Sequence, residues 1–245
     1  QQMISLGERN EGYLAKVGEP LIQFYGYKTC GVWNSAEEIA ANPHFSDDAP
    51  GGIRIVDTNN DGSLTPEDRV ALGTPYPDFT WGITNTFQIK DFDISFLIQG
   101  VQGITVLNGD VYYNETKKWN KKYTKNRWVS AEHPGDGKTP YQNVKTGHDL
   151  MLTDYPLQNA SYACLRNFTV GYTLPATAAR KIKLSGVRFY VSGSNLLYIW
   201  GSGYKGINPE SRMTSGNYSS AMISGYQRGG FPLTSTISAG FDINF

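Results

Sequence analysis

The stretch from Asp57 to Asp68 reads D-T-N-N-D-G-S-L-T-P-E-D. Side-chain oxygens stand at alternating places: Asp57 is first, Asn59 third and Asp61 fifth, with Gly62 sixth, Ser63 seventh, Thr65 ninth and Asp68 twelfth. That spacing lets a loop wrap a hard divalent cation. Asp57, Asn59 and Asp61 offer side-chain oxygens, Ser63 its backbone carbonyl, Thr65 a linked water and Asp68 a carboxylate, while Gly62 allows the sharp turn. The expected ion is Ca2+ or Mg2+. Asp68 stands where a longer Glu is usual, so its shorter arm grips less easily with both oxygens. With no helix pattern on either side, the loop would staple a surface rather than act as a sensor. The competing reading is an Asx-rich turn without an ion.

No other constellation offers a reaction. His44, His133 and His148 fall in polar stretches, without an H-E-x-x-H pattern or a nucleophile elbow. Gly201-Ser202-Gly203 does not bridge a strand and a helix, so it is no phosphate loop. No pair of carboxylates suggests a sugar-cleaving enzyme. The cluster K-K-W-N-K-K-Y-T-K-N-R-W, from Lys117 to Trp128, could suggest nucleic acid. A nucleic-acid-binding domain would carry a net basic charge, yet 22 basic residues balance 22 acidic ones here. The cluster reads as a solvated face, a contact for anionic lipopolysaccharide, or a set of Trp and Tyr rings for stacking on sugars. Cys30 and Cys164 lie far apart in no metal spacing and read as unpaired residues on strand surfaces.

The elements that would position these residues are strands. From Phe231 to Phe245 the odd positions are apolar except Ser235, and no even position is large and apolar. A membrane-crossing strand needs about 9–11 residues, and this stretch supplies more. Phe79 to Ile89 and Phe92 to Ile104 alternate in the same way, with Lys90 and Asp91 as a two-residue turn. The swap of parity across that turn keeps both apolar sets on one side of an antiparallel hairpin. Ala160 to Leu174 places Tyr162, Cys164, Phe168, Val170, Tyr172 and Leu174 on one face, interrupted by Arg166, which demands a bulge or a snorkelling side chain. Val187 to Trp200 alternates until the phase blurs near Gly193. Ile22 to Trp33 is β-prone but alternates poorly, and is taken as a further strand. Ser35, three residues before Glu38, predicts a short capped helix.

Between these strands lie long polar stretches at residues 34–77, 107–158 and 201–230, whereas the other connections are short. One trimmed rim and one rim of long loops is the asymmetry of an outer-membrane barrel. The expected fold is therefore all-β, an antiparallel transmembrane β-barrel segment of about six strands with long extracellular loops. Trp81, Tyr172, Tyr198 and Trp200 fit interfacial girdles. No run of about 18 apolar residues exists, so no membrane-crossing helix is expected.

Several stretches carry a family resemblance: V-G-E-P-L-I-Q-F-Y-G-Y-K, D-T-N-N-D-G-S-L-T-P-E-D-R, G-T-P-Y-P-D-F-T-W-G, F-D-I-S-F-L-I-Q-G-V-Q-G, L-R-N-F-T-V-G-Y-T-L-P and V-R-F-Y-V-S-G-S-N-L-L. In this order and spacing, together with the strand ending at Phe245, they resemble the C-terminal part of SusC/RagA-like TonB-linked outer-membrane transporters. The chain departs from the family at Ala163-Cys164, where a Leu-Arg pair is usual. The resemblance implies the outer membrane of a Gram-negative bacterium and a barrel of about twenty-two strands, of which this chain would be the last six. The remaining strands and a plug would lie in another chain or in preceding sequence, because a six-stranded sheet leaves two bare edges. It implies import of a glycan or oligopeptide, energised by inner-membrane TonB, in partnership with a SusD-like surface lipoprotein. Phe241, Ile243 and Phe245 would serve as the barrel-assembly signal. The alternative is a passive barrel or adhesin that binds external ligands through its loops.

Overall fold

The structure, a computed structural model, describes residues 12–111, 125–141, 147–211 and 225–245. Its strands are β1 (Tyr13–Leu14), β2 (Gln23–Gly26), β3 (Thr29–Val32), β4 (Ile53–Ile55), β5 (Val70–Gly73), β6 (Phe79–Ile89) and β7 (Phe92–Gln102). There follow β8 (Thr105–Asn108), β9 (Leu157–Asn159), β10 (Tyr162–Thr173), β11 (Gly186–Trp200), β12 (Tyr226–Gln227) and β13 (Thr236–Asn244). No helix among the described residues is long and apolar enough to cross a membrane.

The long strands form one antiparallel wall in the order β13-β11-β10-β7-β6. As expected, Lys90 and Asp91 close the first hairpin, with Ile89 opposite Phe92. Lys90 takes φ 56°, the left-handed geometry that such a tight turn requires. The second short connection holds the helix Ala176–Lys181. β7 stops at Gln102, short of the expected Ile104, because Gly103 turns the chain at φ 74° beside the Asp78 carboxylate. Ile104 is thereby delivered into a core.

The shorter strands build a cap over the long-loop rim: β1-β2-β5, β3-β4 and β12-β8-β9. Ile22 to Trp33 is therefore not a wall strand. It breaks into β2 and β3, which pair with different cap strands, and the wall has five members. The poor alternation had a physical cause, since Ile22, Phe24, Tyr27 and Trp33 are all buried, so neither face of the segment is polar. The predicted helix forms at Ala36–Ala40, with Ser35 Oγ accepting from the Glu38 N–H.

The three long polar stretches are likewise more ordered than their composition suggests. Tyr13, Ile22, Phe24, Leu107, Met151 and Tyr226 share one buried cluster, and Tyr27, Ile53, Ile55 and Leu150 share another. A third cluster joins cap to wall: Val101, Tyr162 and Cys164 of the wall strands meet Ile104, Val106, Ala160 and Tyr204. Cys164 is thus buried, while Cys30 is exposed as expected, and both thiols are free.

Candidate functional site on the inner face of the wall and its cap

The register across the five strands sorts every wall residue to one of two faces. One lateral row runs Ile89, Phe92, Tyr172, Phe189, Phe241, and the next matching row Phe87, Ile94, Val170, Val191, Ala239. Many side chains on this face are open, with Phe189 50%, Phe241 65% and Ile237 75% exposed. Contiguous apolar surface of this kind is the band that a barrel turns to lipid. The alternate rows are polar. Thr86, Ser95, Thr169, Ser192 and Ser238 stand side by side across all five strands, a hydroxyl band on the inner face.

Of the bulge and the snorkelling side chain that its position left open, Arg166 is a bulge. Leu165 pairs with Ile98 and Asn167 with Leu97, so Arg166 has no opposite number on β7. On β11 the pairing jumps from Leu197 to Ser194, and Asn195 there takes φ 55°. One extra residue on β10 reverses its phase. Phe168, Val170 and Tyr172 face outward, but Leu165 and Ala163 take over that role above the bulge, while Tyr162 and Cys164 turn inward. The single face expected from Tyr162 to Leu174 is thus two half-faces. β13 is corrected in a related way. It begins at Thr236, not Phe231, because the ladder with β11 ends at Ser194 opposite Thr236. Ser235 Oγ then donates to the Asn195 carbonyl at 2.6 Å.

The inner face carries two ionic arrangements that the spacing of residues did not reveal. Arg188 on β11 spans β10 to reach Asp93 on β7 at 2.6 Å and also meets Asp242 on β13 at 3.3 Å. Gly171 lies beneath it, and a Cβ there would sit 2.3 Å from Asp93 Oδ1. Arg166 donates to Gln99, Asn195, Tyr198 and Glu210, tying β7, β10 and β11 to the loop that leaves the top of β11. The sequence signal was a charged residue on each of several strands at polar-face positions, but their partners are fixed only by register.

The Asp57 loop folds as an Asx turn. Asp57 Oδ2 accepts from Gly62 N–H at 2.9 Å, Asn59 Oδ1 from Asp61 N–H, and Asp61 Oδ1 from Ser63 N–H. Asp57 Oδ1 is buried without a hydrogen-bond partner. Asp68 is fully buried, its Oδ1 accepting from Thr58 and Asn59 N–H and its Oδ2 from Thr65 N–H. Burial opposes its charge, but these backbone donors outweigh burial and hold its pKa below the ordinary value. Asp68 here fastens the two ends of the loop. Asp61 Oδ2 also accepts from Asn59 Nδ2 at 2.9 Å, and no group of three or more His, Cys, Asp and Glu converges among the described residues.

The lysine cluster lies largely outside the described residues, Lys125 to Trp128 excepted. Trp128 stacks edge-on against Tyr141 and donates to Asn34. Phe241 and Ile243 lie on the outward face of β13, and Phe245 follows it, 94% exposed.

No protein-family model matches the chain. A TonB-dependent receptor of Formosa agariphila is 31% identical over 239 residues, 94% of this chain and 23% of that protein. The TonB-dependent receptor SusC of Bacteroides thetaiotaomicron is 26% identical over 208 residues, covering 84% of the chain and 19% of SusC. The solved RagAB peptide transporter matches 97% of the chain and 24% of its own, with a TM-score of 0.71 at 18% identity. The chain thus spans about a quarter of the length of the proteins it matches. Its two-faced wall, its capped rim and these likenesses together identify it as a stretch of the SusC/RagA-like TonB-dependent receptors, β-barrels of the outer membrane.

Proposed function

We propose that the receptor containing this stretch imports a nutrient, a glycan or an oligopeptide, across the outer membrane, energised by TonB and assisted by a SusD-like surface lipoprotein. The observation that carries this reading is the five-stranded wall with an apolar outer band and a hydroxyl-lined inner band. It joins a cap that matches TonB-dependent receptors along almost the whole chain. In this reading the wall separates lipid from the transport path, and the cap meets the lipoprotein and the cargo. Deleting the receptor gene, or disabling TonB, should abolish uptake of labelled substrate by cells. Uptake that persists without TonB would refute active import and leave a passive barrel or adhesin.

A divalent cation in the Asp57 loop belongs to the same reading, as a staple for the cap. Asp57, Asn59, Asp61 and the Ser63 carbonyl would hold the ion while Asp68 holds the loop, and the support for this is the buried, unpartnered Asp57 Oδ1. On the outer face, Phe241, Ile243 and Phe245 are the residues an assembly machinery would grip. Replacing Phe245 with Asp should lower outer-membrane levels, and normal levels would remove that role.

A further inference from the structure

The ladder between β11 and β13 opens into a fork. Its last pair is Ser194 opposite Thr236, yet β11 runs on to Trp200, and from Leu197 to Trp200 it pairs with β10 alone. The chain that leads into β13 stays close without joining the sheet: Ser235 Oγ donates to the Asn195 carbonyl, and Asn208 Nδ2 holds the Phe231 carbonyl at 3.1 Å. Between the two arms lies a cavity of about 510 Å³, walled by Leu196, Tyr198, Trp200, Ile207, Pro232 and Leu233. That volume suits a small ligand.

Two properties of the fork define what it can hold. The first is an open backbone edge. Gly201 N–H bonds to the Ser161 carbonyl, which marks these two as a hydrogen-bonded pair, and such pairs alternate with non-bonded ones along an antiparallel ladder. Tyr198 and Trp200 therefore turn their N–H and C=O groups away from β10 and toward the fork, where no other protein group among the described residues meets them. The second is neutrality. No charged side chain among the described residues lines the cavity; the charges behind it, Arg166 and Glu210, close on each other, and the Tyr198 hydroxyl accepts from Arg166. A glycan would find few free polar side chains here, whereas an extended peptide brings the N–H and C=O groups that the edge requires.

We infer that the fork binds an extended, apolar oligopeptide by strand addition. The ligand runs antiparallel to β11, its backbone meets the N–H and C=O groups of Tyr198 and Trp200, and an apolar side chain enters between Leu196, Trp200, Ile207 and Leu233. The inference rests on the import reading only in taking the peptide as cargo, and it narrows that cargo from a glycan or an oligopeptide to the latter.

The test uses the full-length receptor purified in detergent, titrated calorimetrically with the blocked, uncharged tripeptide acetyl-Ala-Leu-Ala-amide and with maltotriose as a neutral glycan. Residues directly opposite each other in an antiparallel pair share a face, and those of a hydrogen-bonded pair exchange both bonds. The leucine that enters the cavity is thus also the residue whose N–H turns to β11. Methylating the leucine nitrogen should weaken binding about tenfold, whereas methylating the nitrogen of the alanine that follows should change it by less than about twofold. These probes need no variant. Ile207 is exposed, so Ile207→Glu should fold, and its charge against the apolar side chain should lower affinity about tenfold, while Ile207→Leu should retain most of it. No binding of the tripeptide, equal effects of the two methyl groups, an unchanged affinity in Ile207→Glu, or maltotriose binding that Ile207→Glu weakens would each overturn the assignment. TonB-dependent uptake without tripeptide binding would overturn this site and leave import standing; tripeptide binding without TonB-dependent uptake would do the reverse.

Discussion

Arg166→Met should release the loop that rises from β11 without unzipping the wall. The guanidinium and Glu210 side chains are 22% and 29% exposed, between the surface and buried limits. An exposed ion pair contributes about 0–1 kcal/mol, and breaking a buried one costs roughly 3–5 kcal/mol. Arg166 also donates to Gln99, Asn195 and Tyr198, and Met removes all of these bonds and the ion pair, leaving Glu210 held only by the Tyr198 hydroxyl at 3.1 Å. An intermediate loss of about 2 kcal/mol follows, which at ~1.4 kcal/mol per decade is roughly 30-fold in an opening equilibrium. Hydrogen exchange of the full-length receptor in detergent, read on peptides covering residues 201–211, should accelerate by that factor. Peptides covering β6 and the lower halves of β7 and β10 should not change. Glu210→Gln, which keeps an acceptor, should have a smaller effect. Acceleration of less than about threefold at residues 201–211 would refute the latch, as would uniform acceleration along the wall.

Other outcomes follow from the same geometry. Val191→Lys places a charge on the outer face and should cost about 2–4 kcal/mol, with reduced folded receptor in membranes, whereas Ser192→Lys on the inner face should be nearly silent; equal effects would dissolve the distinction between faces. Asp68→Ala should destabilise the cap by about 1–2 kcal/mol with or without Ca2+, since it leaves three half-buried backbone donors without their acceptor. Asp57→Asn should instead remove any Ca2+ response in calorimetry while sparing the cap, and the opposite pattern would exchange their roles. His148 is buried against the rings of Tyr27 and Phe45 and faces Asp48 at 3.9 Å. Burial lowers its pKa, and the charges of Asp48 and Asp149 only partly offset this. The unfolded chain therefore takes up the proton first: cap stability should be level above the ordinary histidine value of about 6.5 and decline as pH falls below it. His148→Phe should flatten that slope in thermal melts, and a slope unchanged in the variant would clear His148 of the effect.

The hairpin β6–β7 was legible because its alternation is unbroken and its turn has only two residues. β10 was legible as a strand, but not in its facing. Tyr162, Cys164 and Phe168 share a parity in sequence, and a one-residue bulge at Arg166 places the first two opposite the third. Arg166 announced the interruption, but a lone charged residue does not say whether it bulges or snorkels. Of the cap, the Ser35-capped helix and the β-prone stretch Ile22 to Trp33 were legible, but its sheets were not, because strands of two to four residues are too short to show a period. Its core instead draws single residues, such as Ile53, Leu107, Met151 and Tyr226, from stretches that read as polar loop. The Asp57 loop showed its ligand spacing but not that backbone amides claim both oxygens of Asp68. Register hid the Arg188 cluster in the same way, since Asp93, Arg188 and Asp242 meet only through strand pairing.

The most direct measurement is the lipid accessibility of spin labels placed one at a time along β10, from Tyr162 to Thr173, in the full-length receptor reconstituted in bilayers. Labels at Phe168, Val170 and Tyr172 should favour oxygen over a water-soluble nickel complex, and so should labels at Ala163 and Leu165, with the phase reversing at Arg166. An unbroken two-residue alternation from Tyr162 to Thr173, or water access at Phe168 and Val170, would contradict a lipid-facing wall with its bulge at Arg166.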